Sequence, residues 1–167
     1  MTPVLEVRDL KVCAGGATIV DGISFALTKG EVLALIGESG SGKTTIALAL
    51  MGHVRDGCRI TGGSIVFEGR ELVGLADGPL EALRGARIAY IAQSAAAAFN
   101  PARSLIDQVT ESAVTHGLMS RRAAEAKAIE LFRSLGLPSP ETIGRRYPHQ
   151  VSGGQLQRLM VDRKSVV

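Results

Sequence analysis

The sequence predicts an α/β protein with a phosphate-binding loop in its core, an antiparallel β edge and an α-helical subdomain. Three observations predict it. Residues 31–36 form a short apolar run between Gly30 and Gly37, and Gly37-Glu38-Ser39-Gly40-Ser41-Gly42-Lys43-Thr44 follows as a complete G-x-x-x-x-G-K-[ST] loop. Residues 4–8 and 24–27 carry the pattern of half-buried antiparallel strands. From Ser104 onward the apolar spacing becomes helical.

Taken in order, 4–8 and 24–27 belong to the β edge, and residues 62–75 add short strand material to it. The run 31–36 suits a buried parallel strand. Residues 44–51 read as a helix, with Gly52 placed to end it. Residues 87–93 read as a strand that ends in Gln93. Leu105, Val109 and Ala113 then share one helix face. Ala124, Ala128, Leu131 and Leu135 share another, with Ser120 as cap and Gly136 as stop. Ser139-Pro140-Glu141 opens a short third helix. Ser152-Gly153-Gly154-Gln155, followed by Leu156, Leu159 and Met160, is a capping box opening an amphipathic helix. Ala95 to Ala98 is the one low-complexity patch.

The loop carries explicit chemistry. Its glycines let the backbone curl until successive N–H groups converge on phosphate oxygens, and the following helix adds partial positive charge. Lys43 is placed to reach the β- and γ-phosphates, the Thr44 hydroxyl to ligate Mg²⁺, and Thr45 to support an α-phosphate contact through its backbone. A chance match in a chain with 20 glycines is the competing explanation. An apolar strand pattern before the loop and a helix pattern after it argue against chance.

Beside such a loop, Ser152-Gly153-Gly154-Gln155 resembles the signature motif of the ATP-binding-cassette (ABC) ATPases. The surrounding Tyr147-Pro148-His149-Gln150-Val151 and Leu156-Gln157-Arg158 fit that family, with Val151 where leucine is commoner. Capping box and signature are compatible readings, because a capped helix N-terminus with two glycines is an anion site. Gln93 is similar to the family's Q-loop glutamine; the resemblance implies that it touches Mg²⁺ and the attacking water and senses a membrane partner. Phe99-Asn100-Pro101, Asp56-Gly57, residues 59–65 and Tyr147-Pro148-His149 resemble the oligopeptide, dipeptide and nickel importer branch. The likeness runs over residues 3–161.

What the resemblance implies is the ATP-binding subunit of an importer for peptides or nickel-like chelates. ATP and Mg²⁺ are bound and hydrolysed at a head-to-tail dimer interface, with Gly37 to Thr45 of one subunit facing Ser152, Gly153, Gly154 and Gln155 of the other. The implied partners are integral-membrane permease subunits, a second ATP-binding subunit (the same or a different chain) and, indirectly, an extracytoplasmic substrate-binding protein. The implied location is peripheral, at the cytoplasmic face of the inner membrane. The implied organisation is a partial ABC ATPase domain over 1–161: β edge and P-loop core to 93, helical subdomain over about 94–150, signature helix over 151–161. A non-transport ABC ATPase of DNA repair or translation is the alternative; Phe99-Asn100-Pro101 argues against it. Kinases and GTPases with a phosphate loop lack the signature.

Some positions depart from the family. Residues 94–98 are bland where the branch carries Asp-Pro and polar groups, and residues 11–16 hold no aromatic to stack on adenine. Such a stack contributes about 1–3 kcal/mol, so discrimination of ATP from GTP is expected to be poor. No Asp-Glu dipeptide of a Walker B strand occurs, and His53, His116 and His149 all precede the place of a switch histidine. These residues alone are therefore expected to have an incomplete core and not to turn over ATP. Residues 162–167 resemble one reading frame of a sequencing-library adapter and are expected to be a non-native tail.

Composition narrows the classes further. The 167 residues are 46% hydrophobic but only 4% aromatic, so aliphatic side chains must form one sizeable core. The net charge of +3 lies on scattered side chains with no aromatic-laced basic stripe, so no nucleic-acid partner is expected. Cys13 and Cys58 lack metal or redox spacing and read as free thiols. No apolar run is long enough for a spanning helix, and no signal-like segment opens the chain.

Overall fold

A computed structural model describes residues 2–165, and the side chains of residues 2–160. The chain divides into two compact units, residues 1–81 and 82–167.

The first unit is built on an antiparallel sheet in the order β2-β1-β3-β4, comprising β1 (Leu5–Ala14), β2 (Ala17–Leu27), β3 (Cys58–Phe67) and β4 (Arg70–Glu71). Gly15 and Gly16, with φ of 54° and 88°, close the β1–β2 hairpin as a two-residue turn that needs both left-handed conformations. The central strand carries a bulge. Arg8 pairs with Ser64 but Lys11 with Gly62, and Asp9 adopts φ 47° opposite Gly63 at φ 90°. Strict alternation cannot put both Val7 and Leu10 on one face, because they are an odd number of residues apart. The bulge resets the count, and Val7, Leu10 and Val12 are all buried. A Cβ at Gly63 would lie 2.5 Å from the Asp9 carbonyl oxygen, so the crossing admits only glycine. The β edge expected at 4–8, 24–27 and 62–75 is thus present, with longer first and second strands.

The carboxylate of Glu71 ties off the sheet. It accepts hydrogen bonds from the Ile65 and Val73 N–H groups, both at 2.9 Å, and from the Ser64 hydroxyl. Helices α1 (Lys43–Ala49) and α2 (Asp77–Leu83) complete the unit. Gly52, at φ 63°, follows α1 as expected, and the Leu80 side chain fills the space where its Cβ would stand. Helix α2 was hidden by Gly78 and Pro79, poor helix formers that are tolerated in a first turn whose N–H groups have no helical partner.

The runs expected to be parallel strands differ. Residues 31–36 enter no ladder among the described residues, and Val32 and Ile36 are each 94% exposed. Residues 87–93 form only an isolated bridge between Arg84 and Ile88, with Tyr90 and Ile91 exposed. A buried parallel strand needs neighbours on its edges and helices on its faces. The described strands form a single antiparallel sheet that supplies neither. The apolar faces at 31–36 are bare because no described strand lies beside them.

The second unit is helical: α3 (Ala95–Ala98), α4 (Leu105–Thr115), α5 (Arg121–Ser134), α6 (Pro140–Ile143), a 3-10 turn (Pro148–Gln150) and α7 (Gly153–Ser165). Ser94, Ser104, Ser120 and Ser152 each stand before a helix and accept an N–H from its first turn. Gly136, at φ 64°, ends α5, with Leu137 N–H bonded to Phe132 C=O at 3.0 Å in a Schellman closure. Leu105, Val109, Ala113, Ala124 and Ala128 are buried as their spacing predicts. Phe132 takes the centre of the cluster, and Leu131 and Leu135 flank it half-buried. Helix α7 packs against α3, α4 and α5 through Leu156, Leu159 and Met160. Of the tail at 162–167, the backbone is helical through Ser165; its side chains and residues 166–167 lie outside what is described.

Burial disfavours the Glu71 anion, but the Ser64 hydroxyl and the N–H groups of Val73, Ile65 and Leu72 outweigh it and hold the carboxyl below its ordinary range. Its contribution is therefore complete above the ordinary glutamate range and lost as pH falls through the lowered folded value. Glu71→Gln should lower the urea midpoint at neutral pH, and the gap to the parent should close as pH falls through the lowered folded value. A constant gap would show that the carboxylate charge is not involved.

Candidate functional site

The phosphate loop begins where residues 31–36 leave the Thr28–Glu31 turn, in which Glu31 Oε2 accepts the Thr28 N–H at 2.6 Å. Gly40 and Gly42 adopt φ of 88° and 85°, left-handed conformations that alternate with ordinary ones and so aim successive N–H groups inward. A Cβ at Gly37 would lie 2.6 Å from Ser41 Oγ, so the Ser41 hydroxyl would have to rotate away from the loop. A Cβ at Gly42 would come within 3.1 Å of the Ile19 carbonyl oxygen, which holds the loop against β2.

Lys43 opens α1 and its side chain folds back into the curl. Nζ donates to Gly37 C=O at 2.7 Å, Glu38 C=O at 2.5 Å and Ser41 Oγ at 3.2 Å. The ammonium is held by the loop it serves, with its charge at the mouth of the nest. Ile46 N–H bonds to Gly42 C=O at 2.9 Å, and buried Ile46 and Ala49 anchor the helix. Ser39, Gly40, Ser41 and Thr44 are exposed, and Thr45 is half-buried. Hydroxyl and main-chain N–H groups converging beside one cation suit a polyphosphate, and a threonine hydroxyl suits a hard cation bound to it. Among the described residues no group of three or more His, Cys, Asp or Glu is arranged to hold a metal by itself.

At the hairpin end of the same sheet, Cys13, Gly15, Gly16, Gly57, Cys58 and Arg59 line a shallow cavity. Both thiols are free and half-buried, as expected. The Cys13 thiol is drawn below its ordinary value by hydrogen bonds from Thr61 and then Thr18. Phe25 and Phe67 lie at the other end of β1, paired with Val7 and Leu5, so neither reaches this cavity.

The remaining sequence candidates lie in the helical unit. Gln93 is exposed on a bend, and α3, which follows directly, packs on α7. At the start of α7 the capping box is reciprocal: Ser152 Oγ accepts the Gln155 N–H at 3.3 Å, and Gln155 Oε1 accepts the Ser152 N–H at 2.9 Å. Gly153 and Gly154 are exposed, have no left-handed φ, and would meet nothing within 4 Å if they carried a Cβ. The fold does not need them to be glycine. A glycine inside a helix costs about 0.5–1 kcal/mol relative to alanine, and these two leave the start of α7 without side chains.

Sequence reading missed two polar side chains here. Arg158 reaches from α7 to the end of α5, its Nη1 donating to Leu135 C=O at 3.2 Å and Gly136 C=O at 3.4 Å. Gln108 is 3% exposed. It stands three residues after Leu105 on the buried stripe, and a polar residue in an apolar helical register was the available signal.

A curled phosphate loop in a β-edged unit and a serine-capped, glycine-opened helix in a helical unit are the two halves of an ATP-binding cassette. The family described as ABC transporter matches residues 20–167, and the chain belongs to it. The oligopeptide transport ATP-binding protein OppD of Mycobacterium tuberculosis (strain ATCC 25618 / H37Rv) is 37% identical over 96% of this chain and 27% of its own length. The oligopeptide transport protein AppD and the dipeptide transport protein DppD of Bacillus subtilis (strain 168), both ATP-binding, are each 36% identical over 96% of this chain. The match covers 51% of AppD and 50% of DppD, so the chain spans about half the length of these two relatives and about a quarter of OppD. A solved ATP-binding subunit of an ABC transporter is 26% identical, with a TM-score of 0.72 over 96% of this chain and 60% of that one. A dimeric ATP-binding cassette in a post-hydrolysis state with ADP and Pi shares the fold at TM-score 0.79 and 22% identity, covering 96% of this chain and 68% of that one. No helix among the described residues is long and apolar enough to cross a membrane.

Gly154→Ala should raise the stability of the helical unit by about 0.5–1 kcal/mol, because its Cβ meets open space in a helical backbone. A urea midpoint below that of the parent would show that the glycine is needed by the fold after all.

Proposed function

We propose that this chain is the nucleotide-binding part of the ATP-binding subunit of a peptide importer. The observation that carries the reading is Gly153-Gly154 at the serine-capped start of α7, exposed and not demanded by the fold, in a chain that also holds a complete phosphate loop. An open helix N-terminus is a ready anion site, and the γ-phosphate held by a second subunit's loop fits that place.

In this reading Gly37 to Gly42 cradle the phosphates, and Lys43 exchanges its hold on the Gly37 and Glu38 carbonyls for β- and γ-phosphate oxygens. The Thr44 hydroxyl would hold Mg²⁺, which would supply charge neutralisation on the phosphates, and Gln93 is the further ligand that the family resemblance implies. Ser152, Gly153, Gly154 and Gln155 close on the partner's nucleotide. The fold of the dimeric cassette at TM-score 0.79 supports the two-subunit arrangement. The names of the relatives, which are peptide transport proteins, support peptide cargo and permease partners, and with them a peripheral site at the cytoplasmic membrane face.

Lys43→Ala in the complete protein should weaken ATP binding about tenfold or more, roughly 1.4 kcal/mol, by equilibrium titration. Unchanged affinity would sink the loop assignment.

Ser152→Arg tests the trans arrangement. A bulky cation there should leave ATP binding to the isolated subunit within about twofold, while turnover in the assembled transporter falls by about a hundredfold or more. If the isolated subunit loses ATP affinity to the same degree as turnover, the signature acts on its own subunit's nucleotide and the head-to-tail reading fails.

A further inference from the structure

The segment just beyond Gln93 is fastened to the helical unit by one buried amide. Gln108 lies on α4 between fully buried Leu105 and Val109. Its Oε1 accepts the Asn100 N–H at 2.8 Å, and its Nε2 donates to the carbonyls of Asn100 and Arg103, both at 3.0 Å, with Ser104 C=O at 3.4 Å. Both donors and the acceptor of the amide are engaged, all with one turn of main chain. Asn100 Oδ1 closes that turn from within by accepting the Ala102 N–H at 2.9 Å.

Two neighbours extend the connection. Phe99 is 4% exposed and belongs to the cluster that holds Ala95 of α3 and Leu156, Leu159 and Met160 of α7. Helix α3 packs on α7. A leucine at position 108 would satisfy the buried stripe, so the glutamine forgoes apolar packing in favour of main-chain groups that would otherwise be buried without partners.

We propose that Gln108 is a positioning residue: it latches residues 99–104 to α4, so that the segment carrying Gln93 and the signature helix move as one body. It touches no ligand and acts through the main chain of the turn. A load applied after Gln93 then reaches Ser152 instead of being lost in a loose turn. The functional part of this inference rests on the reading that Gln93 and the signature serve one nucleotide-driven cycle; the latch itself does not.

The test uses two variants. Gln108→Leu keeps the volume and removes every bond. Gln108→Glu keeps the acceptor for Asn100 N–H, sets an anion against the turn carbonyls, and regains a donor when protonated; burial raises the pKa of such a carboxyl. The nearby Asp107 is held below its ordinary range by the Ser104 hydroxyl and then by Arg121, and so stays ionised across the range used. Glu111 is paired with Arg103 at 2.5 Å.

Amide hydrogen exchange at Asn100 and Ala102 should speed up about tenfold or more in Gln108→Leu. In Gln108→Glu it should be fast at about pH 8 and return toward the parent at about pH 6, after correction for intrinsic rates. Parent-like exchange in the first variant, or no recovery in the second, overturns the latch. In the complete transporter, Gln108→Leu should keep ATP affinity within about twofold yet lose about fivefold or more of the permease-stimulated turnover. Full stimulation overturns the transmission role, as does an equal loss of affinity and turnover. A parent that binds no ATP overturns the proposed function instead, and the exchange measurement still decides the latch.

Discussion

A main-chain N–H or C=O that leaves water must find a partner, and each half of this protein is arranged around that requirement. In the sheet, β1 satisfies both of its edges with β2 and β3, and the Asp9–Gly63 bulge keeps that pairing while placing Val7 and Leu10 on one face. The end of the sheet is closed by Glu71, and the end of α5 by Gly136 and Arg158. In the second unit Ser94, Ser104, Ser120 and Ser152 each cap a helix start in the same way, whereas Ser139, before α6, makes no such bond. The phosphate loop meets the requirement differently: Gly40 and Gly42 curl it, and the Lys43 ammonium takes up the Gly37 and Glu38 carbonyls.

Much of this was legible in the sequence because it depends on local chemistry. Ser120, Gly136 and the Ser152–Gln155 box act over a few residues, and each sits where its neighbours predict. The loop was legible for the same reason, since Gly40 and Gly42 need no distant partner to turn left-handed. What failed was non-local. Residues 31–36 have the composition of a buried strand, yet a strand exists only when a second one lies beside it. Residues 87–93 failed for the same reason. Gln108 escaped notice because its partners, at positions 100–104, are joined to it by a turn that propensity does not foresee.

The helical unit reaches a dry centre with very little aromatic area. Ala95, Ala113, Ala124 and Ala128 are buried with two rings, Phe99 and Phe132. Small side chains let helix backbones approach closely, so close contact between helices takes the place of bulk. Gly144 shows how little slack remains: a Cβ there would lie 3.0 Å from Ile106 Cβ and 3.2 Å from the Phe132 ring. Such a core positions α7 firmly against α3, α4 and α5.

The bare run at 31–36 has a thermodynamic reach beyond its own residues. It leads directly into Gly37, and its main chain is fixed by no ladder among the described residues. Ordering one residue costs about 1–2 kcal/mol, and a nucleotide that needs the loop anchored must overcome that cost for whatever part of the run it draws into line. Affinity is thereby a property of the finished sheet, while the motif alone sets only its chemical selectivity. A partner strand laid against 31–36 would tighten nucleotide binding without touching the nucleotide, and by linkage the nucleotide would favour that pairing to the same extent.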